Sequence, residues 1–151
     1  KTTEVGIKEI TPVVMARSIA KIEDKNIIKK VERWQKIAEV AAKQSKRDKV
    51  PQINLPTNLK KIYEKLAEYD IVVVAYEKEE KTTIKQVLKN LPHGEYLKIA
   101  IIIGPEGGME QEEVEALMAQ GAKVVTLGKR ILRTETAPIV MATIMIYELE
   151  E

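Results

Sequence analysis

The groups best suited to chemistry in this 151-residue chain lie in two glycine-containing loops. The first loop is Gly104-Pro105-Glu106-Gly107-Gly108, and the second is the polar segment from Gly128 to Ala137. Three glycines in five residues allow main-chain N–H and C=O groups to approach a ligand closely. The arginine, glutamate and threonine side chains of the second loop offer groups for charge stabilisation and proton transfer. These residue types predict a binding site built from both loops.

The charges around the first loop argue against a phosphate ligand. Glu106 lies in the loop, and Glu110, Glu112 and Glu113 begin the predicted helix that follows it. Those carboxylates satisfy the helix dipole and would repel a pyrophosphate. The loop also lacks the patterns of a P-loop and of a dinucleotide fold. A ligand without phosphates fits better, although glycines that only form a tight turn remain an alternative.

A predicted strand ends at each loop. The apolar runs Ile99–Ile103 and Val124–Leu127 are typical of buried strands. The helix between them extends from about Met109 to Gln120, and its predicted apolar face carries Val114, Leu117 and Met118. In open α/β sheets, ligands bind beyond the C-terminal ends of the strands. We therefore expect both loops to lie at one edge of a parallel sheet.

A third buried strand is predicted at residues 70–77, and its end, from Ala75 to Glu77, should lie beside the first glycine loop. A further strand is predicted at residues 9–15, a surface loop at 16–26, an extended piece at 50–55, a turn at 92–94, and helices at 27–44, 56–68, 82–91 and 136–150. Alternation of strands and helices predicts one α/β domain over residues 1–151, with a mostly parallel sheet flanked by helices. The last helix is apolar on several sides, so we expect it to pack on its own sheet and on a partner.

Composition excludes several classes of protein. The net charge of +2 gives no global electrostatic argument for nucleic-acid binding, and the absence of cysteine excludes disulfides and thiol catalysis. No apolar run reaches the ~18 residues of a membrane span, and no signal peptide is visible. We expect a soluble cytoplasmic protein without a metal site.

A local excess of positive charge lies between Lys29 and Lys49, with eight basic and three acidic residues. One interpretation is a solvated helix face, and the other is a patch that contacts RNA phosphates. Trp34 falls on the apolar stripe of this helix and is expected in the core. The single histidine, His93, lies in a predicted turn and is expected to have no catalytic role.

The two loops together resemble a family signature. Gly104–Gly108, combined with Leu127-Gly128-x-Arg130-Ile131-Leu132-Arg133-Thr134-Glu135-Thr136-Ala137, is similar to the paired motifs of RsmE-type ribosomal RNA uridine-N3 methyltransferases, which belong to the SPOUT class. Segments 3–7, 32–34, 41–47 and 50–51 also resemble that family in the same order. The resemblance covers essentially the whole chain.

This resemblance implies a fold and a set of partners. It implies a deep trefoil knot formed by residues 99 to the end, S-adenosylmethionine bound bent within the knot, and a homodimer whose second subunit completes the site. The expected substrate is 16S ribosomal RNA of the small subunit. RsmE-like proteins carry a PUA-like RNA-binding domain before this region, and we expect it to be absent from this chain.

The resemblance and the loop chemistry together predict the site residues. Apolar side chains of Ile103, Leu127, Ile131 and Leu132 would form the walls for adenine, and main-chain groups near Gly104, Leu127 and Leu132 would bond it. The complete predicted cofactor set is Ala75, Ile103, Gly104, Pro105, Glu106, Gly107, Gly108, Leu127, Gly128, Ile131, Leu132, Arg133, Thr134, Thr136 and Ala137.

The predicted catalytic residues follow from the chemistry of a uridine. Its ring nitrogen must lose a proton, and negative charge then spreads onto the flanking carbonyl oxygens. Arg133 or Arg47 would stabilise that charge, and Glu106 or Glu135 would accept the proton or orient an arginine. Two alternatives remain open: a SPOUT methyltransferase for another RNA position, and a fragment that binds cofactor or RNA without catalysis.

Overall fold

In the computed structural model, which describes residues 1–19, 24–91 and 97–150, every strand pairing is parallel. The order of elements is α1 (Thr2–Val5), β1 (Glu9–Ile10), β2 (Val13–Val14), α2 (Asp24–Gln44), β3 (Gln52–Ile53), β4 (Thr57–Asn58), α3 (Leu59–Leu66), β5 (Ile71–Ala75), α4 (Ile84–Leu88), β6 (Ile99–Ile103), α5 (Gln111–Ala119), β7 (Lys123–Val125) and α6 (Ala137–Glu150). This order confirms the predicted α/β class with a parallel sheet.

The central sheet has the order β6-β5-β7, so β5 lies between two strands that follow it in the chain. Ala75 at the end of β5 pairs with Ile103 at the end of β6 and with Val125 at the end of β7. The three strands therefore end level with one another. This register places the loops that follow them at one edge of the sheet, as predicted.

Helices cover both faces of this sheet. Because successive strand residues point to opposite faces, Val74 packs with Leu66 of α3 and Leu117 of α5, whereas Val73 packs with Leu88 of α4 and Met141 of α6. Val73 and Val74 are both fully buried. The result is a three-layer arrangement around one sheet, which matches the predicted sheet flanked by helices.

The predicted strand at residues 9–15 is interrupted in the structure. Pro12 lies between β1 and β2 and has no N–H to donate, although its carbonyl accepts the N–H of Thr57 at 3.0 Å. β1 pairs with β3 and β2 pairs with β4, so two short ladders replace the single predicted strand.

Helix ends differ from the prediction where side chains cap them. The side chain of Asn58 accepts the N–H of Lys61 at 3.0 Å, so α3 begins at Leu59 and not at Pro56. In α5, Glu110 and Glu113 form a capping box that sets the start of the helix at Gln111. Met118 does not belong to the buried face as predicted, because its side chain is 54% exposed.

Two other predictions concern side-chain burial. Trp34 on α2 is half-buried, so it contributes only part of its surface to the interior. On α6, Met141 and Met145 face the sheet, whereas Ile144 and Tyr147 are exposed. The predicted turn at 92–94, which contains His93, and residues 20–23 of the predicted surface loop lie outside the described residues.

Candidate functional site

The ends of β5, β6 and β7 line one cleft at the C-terminal edge of the central sheet. The cleft has a volume of about 630 Å³ when its open mouth is included. Pro105 of the first loop and Leu132 of the second are both in its lining, so the two loops meet as predicted.

Most of the predicted cofactor residues line this cleft. They are Ala75, Ile103, Gly104, Pro105, Gly108, Leu127, Gly128, Ile131, Leu132, Thr134 and Ala137.

The other predicted cofactor residues, Glu106, Gly107, Arg133 and Thr136, do not line the cleft. Glu106 and Gly107 form the exposed tip of the first loop. The main chain of Arg133 begins the turn into α6, because its carbonyl accepts the N–H groups of Thr136 and Ala137, each at 2.9 Å. Arg133 and Thr136 therefore shape the second loop through their backbone.

Five further residues line the cleft but are not in the predicted cofactor set: Tyr76, Glu77, Thr126, Lys129 and Arg130. Each of them directly follows the end of β5 or β7 or lies in the loop beyond it. Thr126 also orders its own loop, since its hydroxyl oxygen accepts the N–H of Gly128 at 3.1 Å. These residues could have been predicted from the sequence, because the strand ends were expected to align at one edge of the sheet.

The first glycine loop is a tight turn that forms one wall of the cleft. The N–H of Gly108 donates to the carbonyl of Pro105 at 2.9 Å, and Gly108 has a φ of +75°. A Cβ at Gly104 would lie 3.0 Å from Cγ of Met109, which is itself fully buried. The turn that the sequence offered as an alternative to a binding loop is thus present and borders the cleft.

A second segment, immediately after β2, holds this loop from outside the cleft. Arg17 donates from Nε and Nη2 to the two carboxylate oxygens of Glu110 at 2.7 and 2.8 Å, and from Nη1 to the carbonyl of Gly107 at 3.1 Å. The N–H of Ala16 donates to Glu113 at 2.8 Å. The hydrogen bond from Arg17 lowers the pKa of Glu110, and the same bond raises the pKa of Arg17. The sequence pattern placed Arg17 only in a surface loop.

The structure does not bring the predicted catalytic residues together in the cleft of one chain. Glu106, Arg133 and Glu135 are exposed and adjoin lining residues in the sequence. Arg47 lies elsewhere, and its guanidinium donates to the main-chain carbonyls of Thr3, Gly6 and Ile7 at 2.6, 3.1 and 2.9 Å. In this chain Arg47 therefore fixes α1, and the catalytic roles of all four residues stay predictions.

Metal-binding clusters and membrane-spanning helices are absent from the described part of the chain. Ranges 1–19, 24–91 and 97–150 contain no group of three or more His, Cys, Asp or Glu side chains that could hold a metal ion. They also contain no helix that is long and apolar enough to span a bilayer.

Comparisons with known proteins relate this chain to a family. The family model described as RNA methyltransferase domain matches residues 1–146. Ribosomal RNA small subunit methyltransferase E of Bacillus subtilis is 40% identical over 99% of this chain and 59% of its own length. The protein of the same name from Mesomycoplasma hyopneumoniae is 35% identical over 95% of this chain and 60% of its own length. The chain thus spans about three fifths of the length of these relatives.

Solved structures of methyltransferases have a fold similar to that of this chain. A putative methyltransferase from Legionella pneumophila, in complex with the cofactor SAM, has a TM-score of 0.85 and 29% identity over 97% of this chain and 57% of that one. Ribosomal RNA small subunit methyltransferase E from Neisseria gonorrhoeae, bound to S-adenosyl methionine, has a TM-score of 0.80 and 31% identity over the same shares. Because the family model covers nearly the whole chain, this protein belongs to the RNA methyltransferase domain family that its paired loops predict.

Proposed function

We propose that this chain is the catalytic domain of an S-adenosylmethionine-dependent methyltransferase that modifies N3 of a uridine in small-subunit ribosomal RNA. The observation that carries the proposal is the meeting of the two motif loops in one cleft at the C-terminal edge of the sheet. Support comes from relatives named for small-subunit ribosomal RNA and from two similar structures with the cofactor bound.

The residues of the cleft fit such a cofactor. A Cβ at Gly104 would press on the side chain of Met109, and one at Gly108 would press on the carboxylate of Glu77, so glycine at both positions keeps this wall of the cleft free of side chains. Ile103, Leu127 and Leu132 supply apolar walls for adenine. Glu77 adds a carboxylate that can attract the positively charged part of the methyl donor, and Lys129 and Arg130 add cations that can attract its carboxylate.

The reaction assigns distinct tasks to the residues around the mouth of the cleft. The residues that line the cleft would hold S-adenosylmethionine, which would supply a methyl group on a positively charged sulfur for transfer to N3. Glu106 or Glu135 accepts the proton that N3 loses, and Arg133 stabilises the negative charge on the flanking uracil oxygens. Their exposure allows contact with a large substrate.

A homodimer and a trefoil knot complete the proposal. Ile131 is 86% exposed although it lines the cleft, and Tyr147 on α6 is 64% exposed. A second subunit packed on α6 would cover such apolar surface and close the mouth of the cleft. The knot would hold residues 128–136 against the first glycine loop. Sedimentation equilibrium tests the dimer, and a monomer at micromolar concentration contradicts it.

The substrate would contact the positive face of α2. The basic residues of this helix are exposed, as an RNA-phosphate patch requires: Lys29, Lys30, Arg33, Lys36 and Lys43. Such a substrate also implies a cytoplasmic site of action.

The test is a methylation assay with small ribosomal subunits that lack the modification and with methyl-labelled cofactor. Label recovered as N3-methyluridine at one position supports the proposal. Label at another nucleotide or atom supports a SPOUT methyltransferase of different specificity. Cofactor binding by calorimetry without transfer supports a binding fragment, and no cofactor binding contradicts the methyltransferase assignment itself.

A further inference from the structure

The segment after β2 crosses the outer side of the first glycine loop and packs tightly on it. A Cβ at Gly107 would lie 3.0 Å from Cβ of Arg17 and 3.3 Å from its carbonyl oxygen. A side chain at position 107 would therefore force Arg17 and its main chain to shift by a few tenths of an ångström. Gly107 does not line the cleft, so contact with the cofactor does not explain why a glycine is present there. The close packing of Arg17 on Gly107 does explain it.

We propose that Arg17 is a positioning residue, which holds the first glycine loop in the conformation that binds the methyl donor; this inference rests on the proposed function. Arg17 joins the loop carbonyl of Gly107 to Glu110 at the start of α5, whereas the cleft side of the loop is formed by the next residue, Gly108. Its guanidinium thus fixes the loop from behind, without touching the space that the cofactor would fill.

The geometry requires an arginine. Three donors of one planar group contact two carboxylate oxygens and a main-chain carbonyl. The ammonium group of a lysine is a single point of charge and cannot span both partners in this arrangement. A second bond, from the N–H of Ala16 to Glu113, anchors the segment to the same helix.

The effect of Arg17 should appear in loop order and cofactor affinity more than in global stability. The side chains of Arg17 and Glu110 are 40% and 39% exposed, and exposed ion pairs contribute little to the free energy of unfolding. Without the guanidinium, Gly107 and Glu110 would be hydrated independently. The loop would then sample conformations in which the N–H and C=O groups of the cradle are misplaced for a ligand.

The test compares the parent with Arg17→Gln and Arg17→Lys. Calorimetry measures the affinity for S-adenosylmethionine, and hydrogen exchange measures the protection of the amides of residues 104 and 106–110 without ligand. We expect Arg17→Gln to weaken affinity about tenfold and to shift Tm by less than about 4 °C. Arg17→Lys should recover only part of the affinity. Exchange should accelerate in the loop and not in β5.

Matched controls separate loop positioning from the loss of any ion pair. Lys98→Gln removes the ion pair with Glu68, which lies beyond the opposite end of β6, and it should leave affinity and loop exchange unchanged. Glu110→Gln keeps a side-chain oxygen for the helix cap and should weaken cofactor affinity as much as Arg17→Gln does. In the double variant, the loss of affinity should be little larger than in Arg17→Gln alone.

Each outcome has a defined meaning. If the parent binds cofactor and Arg17→Gln binds within about twofold of it, the inference is wrong while the proposed function stands. If the parent does not bind cofactor, the proposed function fails, and loop exchange still decides the role of Arg17. Unchanged exchange in Arg17→Gln overturns the inference in either case. If Arg17→Gln fails to fold, Glu110→Gln provides the same comparison.

Discussion

The carboxylate of Glu77 occupies the space that a side chain at position 108 would need, because a Cβ at Gly108 would lie 2.6 Å from Oε1 of Glu77. Glu77 follows the end of β5, and Gly108 ends the loop after β6, so the contact joins two strand ends across the cleft. A side chain at position 108 would displace this carboxylate, and the φ of +75° independently favours glycine there.

We expect Gly108→Ala to weaken cofactor affinity more than about tenfold, because it adds both a contact with Glu77 and a strained φ of +75°. Gly121→Ala is the matched control, since Gly121 has a φ of +90° and a Cβ there would meet nothing within 4 Å. The control should lose about 1 kcal/mol of stability and no affinity. Equal affinity of both variants by calorimetry would contradict the assignment of this loop.

Gly107→Val should abolish cofactor binding while leaving the fold intact. The added methyl groups would displace Arg17 and the main chain beside it from the outer side of the loop. Calorimetry with S-adenosylmethionine measures the loss, and circular dichroism checks the fold. Unchanged affinity would mean that the outer side of the loop tolerates bulk.

Arg133→Ala should reduce methyl transfer more than cofactor affinity. The side chain is exposed and does not line the cleft, so its proposed task is to stabilise charge on the substrate. We expect the single-turnover rate to fall about 100-fold or more, with a cofactor Kd within about threefold of the parent. Arg133→Lys should retain part of the rate. Equal losses in both quantities would assign Arg133 to cofactor binding.

Arg47→Ala should lower the free energy of unfolding by about 1–3 kcal/mol, because three main-chain carbonyls lose their donor. Urea denaturation measures the change, and Lys49→Ala, at an exposed residue nearby, serves as the control. Cofactor affinity should stay at the parental value. A variant as stable as the parent but slow in methyl transfer would restore the predicted catalytic role of Arg47.

The ion pair of Arg17 with Glu110 should weaken in acid. Glu110 has a pKa below its ordinary value of 4.5, so its contribution to stability is present above pH 4.5 and is lost as the pH falls through the lower folded-state pKa. Carbon-detected NMR titration of the carboxyl group measures this value. In Arg17→Gln the pKa should move back toward 4.5, and an unchanged pKa would indicate that the pair is not formed in solution.

The sheet and most of the cleft lining were predictable because they depend on local patterns. Buried strands are continuous apolar runs, and a parallel register brings their ends to one edge, so Ile103 and Leu127 were placed correctly in the cleft. Tyr76 and Glu77 follow from the same rule, since they continue β5 at that edge. The tight turn at Gly108 was likewise predictable from the three glycines of the first loop.

The contacts of arginine side chains were not predictable. Arg17 binds a carboxylate 93 positions later, and no local pattern reports a partner at that separation. Arg47 resembles a family motif residue, yet its guanidinium reaches carbonyls at Thr3 and Ile7, and a sequence pattern does not distinguish such a task from catalysis. The predicted burial of Met118 is also wrong, because its side chain is 54% exposed whereas Val114 and Leu117 of the same helix are buried.

The placement of β5 between two later strands has a consequence for synthesis on the ribosome. Ile71–Ala75 leaves the exit tunnel first, yet its two hydrogen-bonding partners, β6 and β7, are complete only when Val125 has emerged. β5 therefore has two unpaired edges until Ile103 of β6 has emerged, and one unpaired edge until Val125 has emerged. An apolar strand with unpaired edges is open to misassembly and to capture by chaperones.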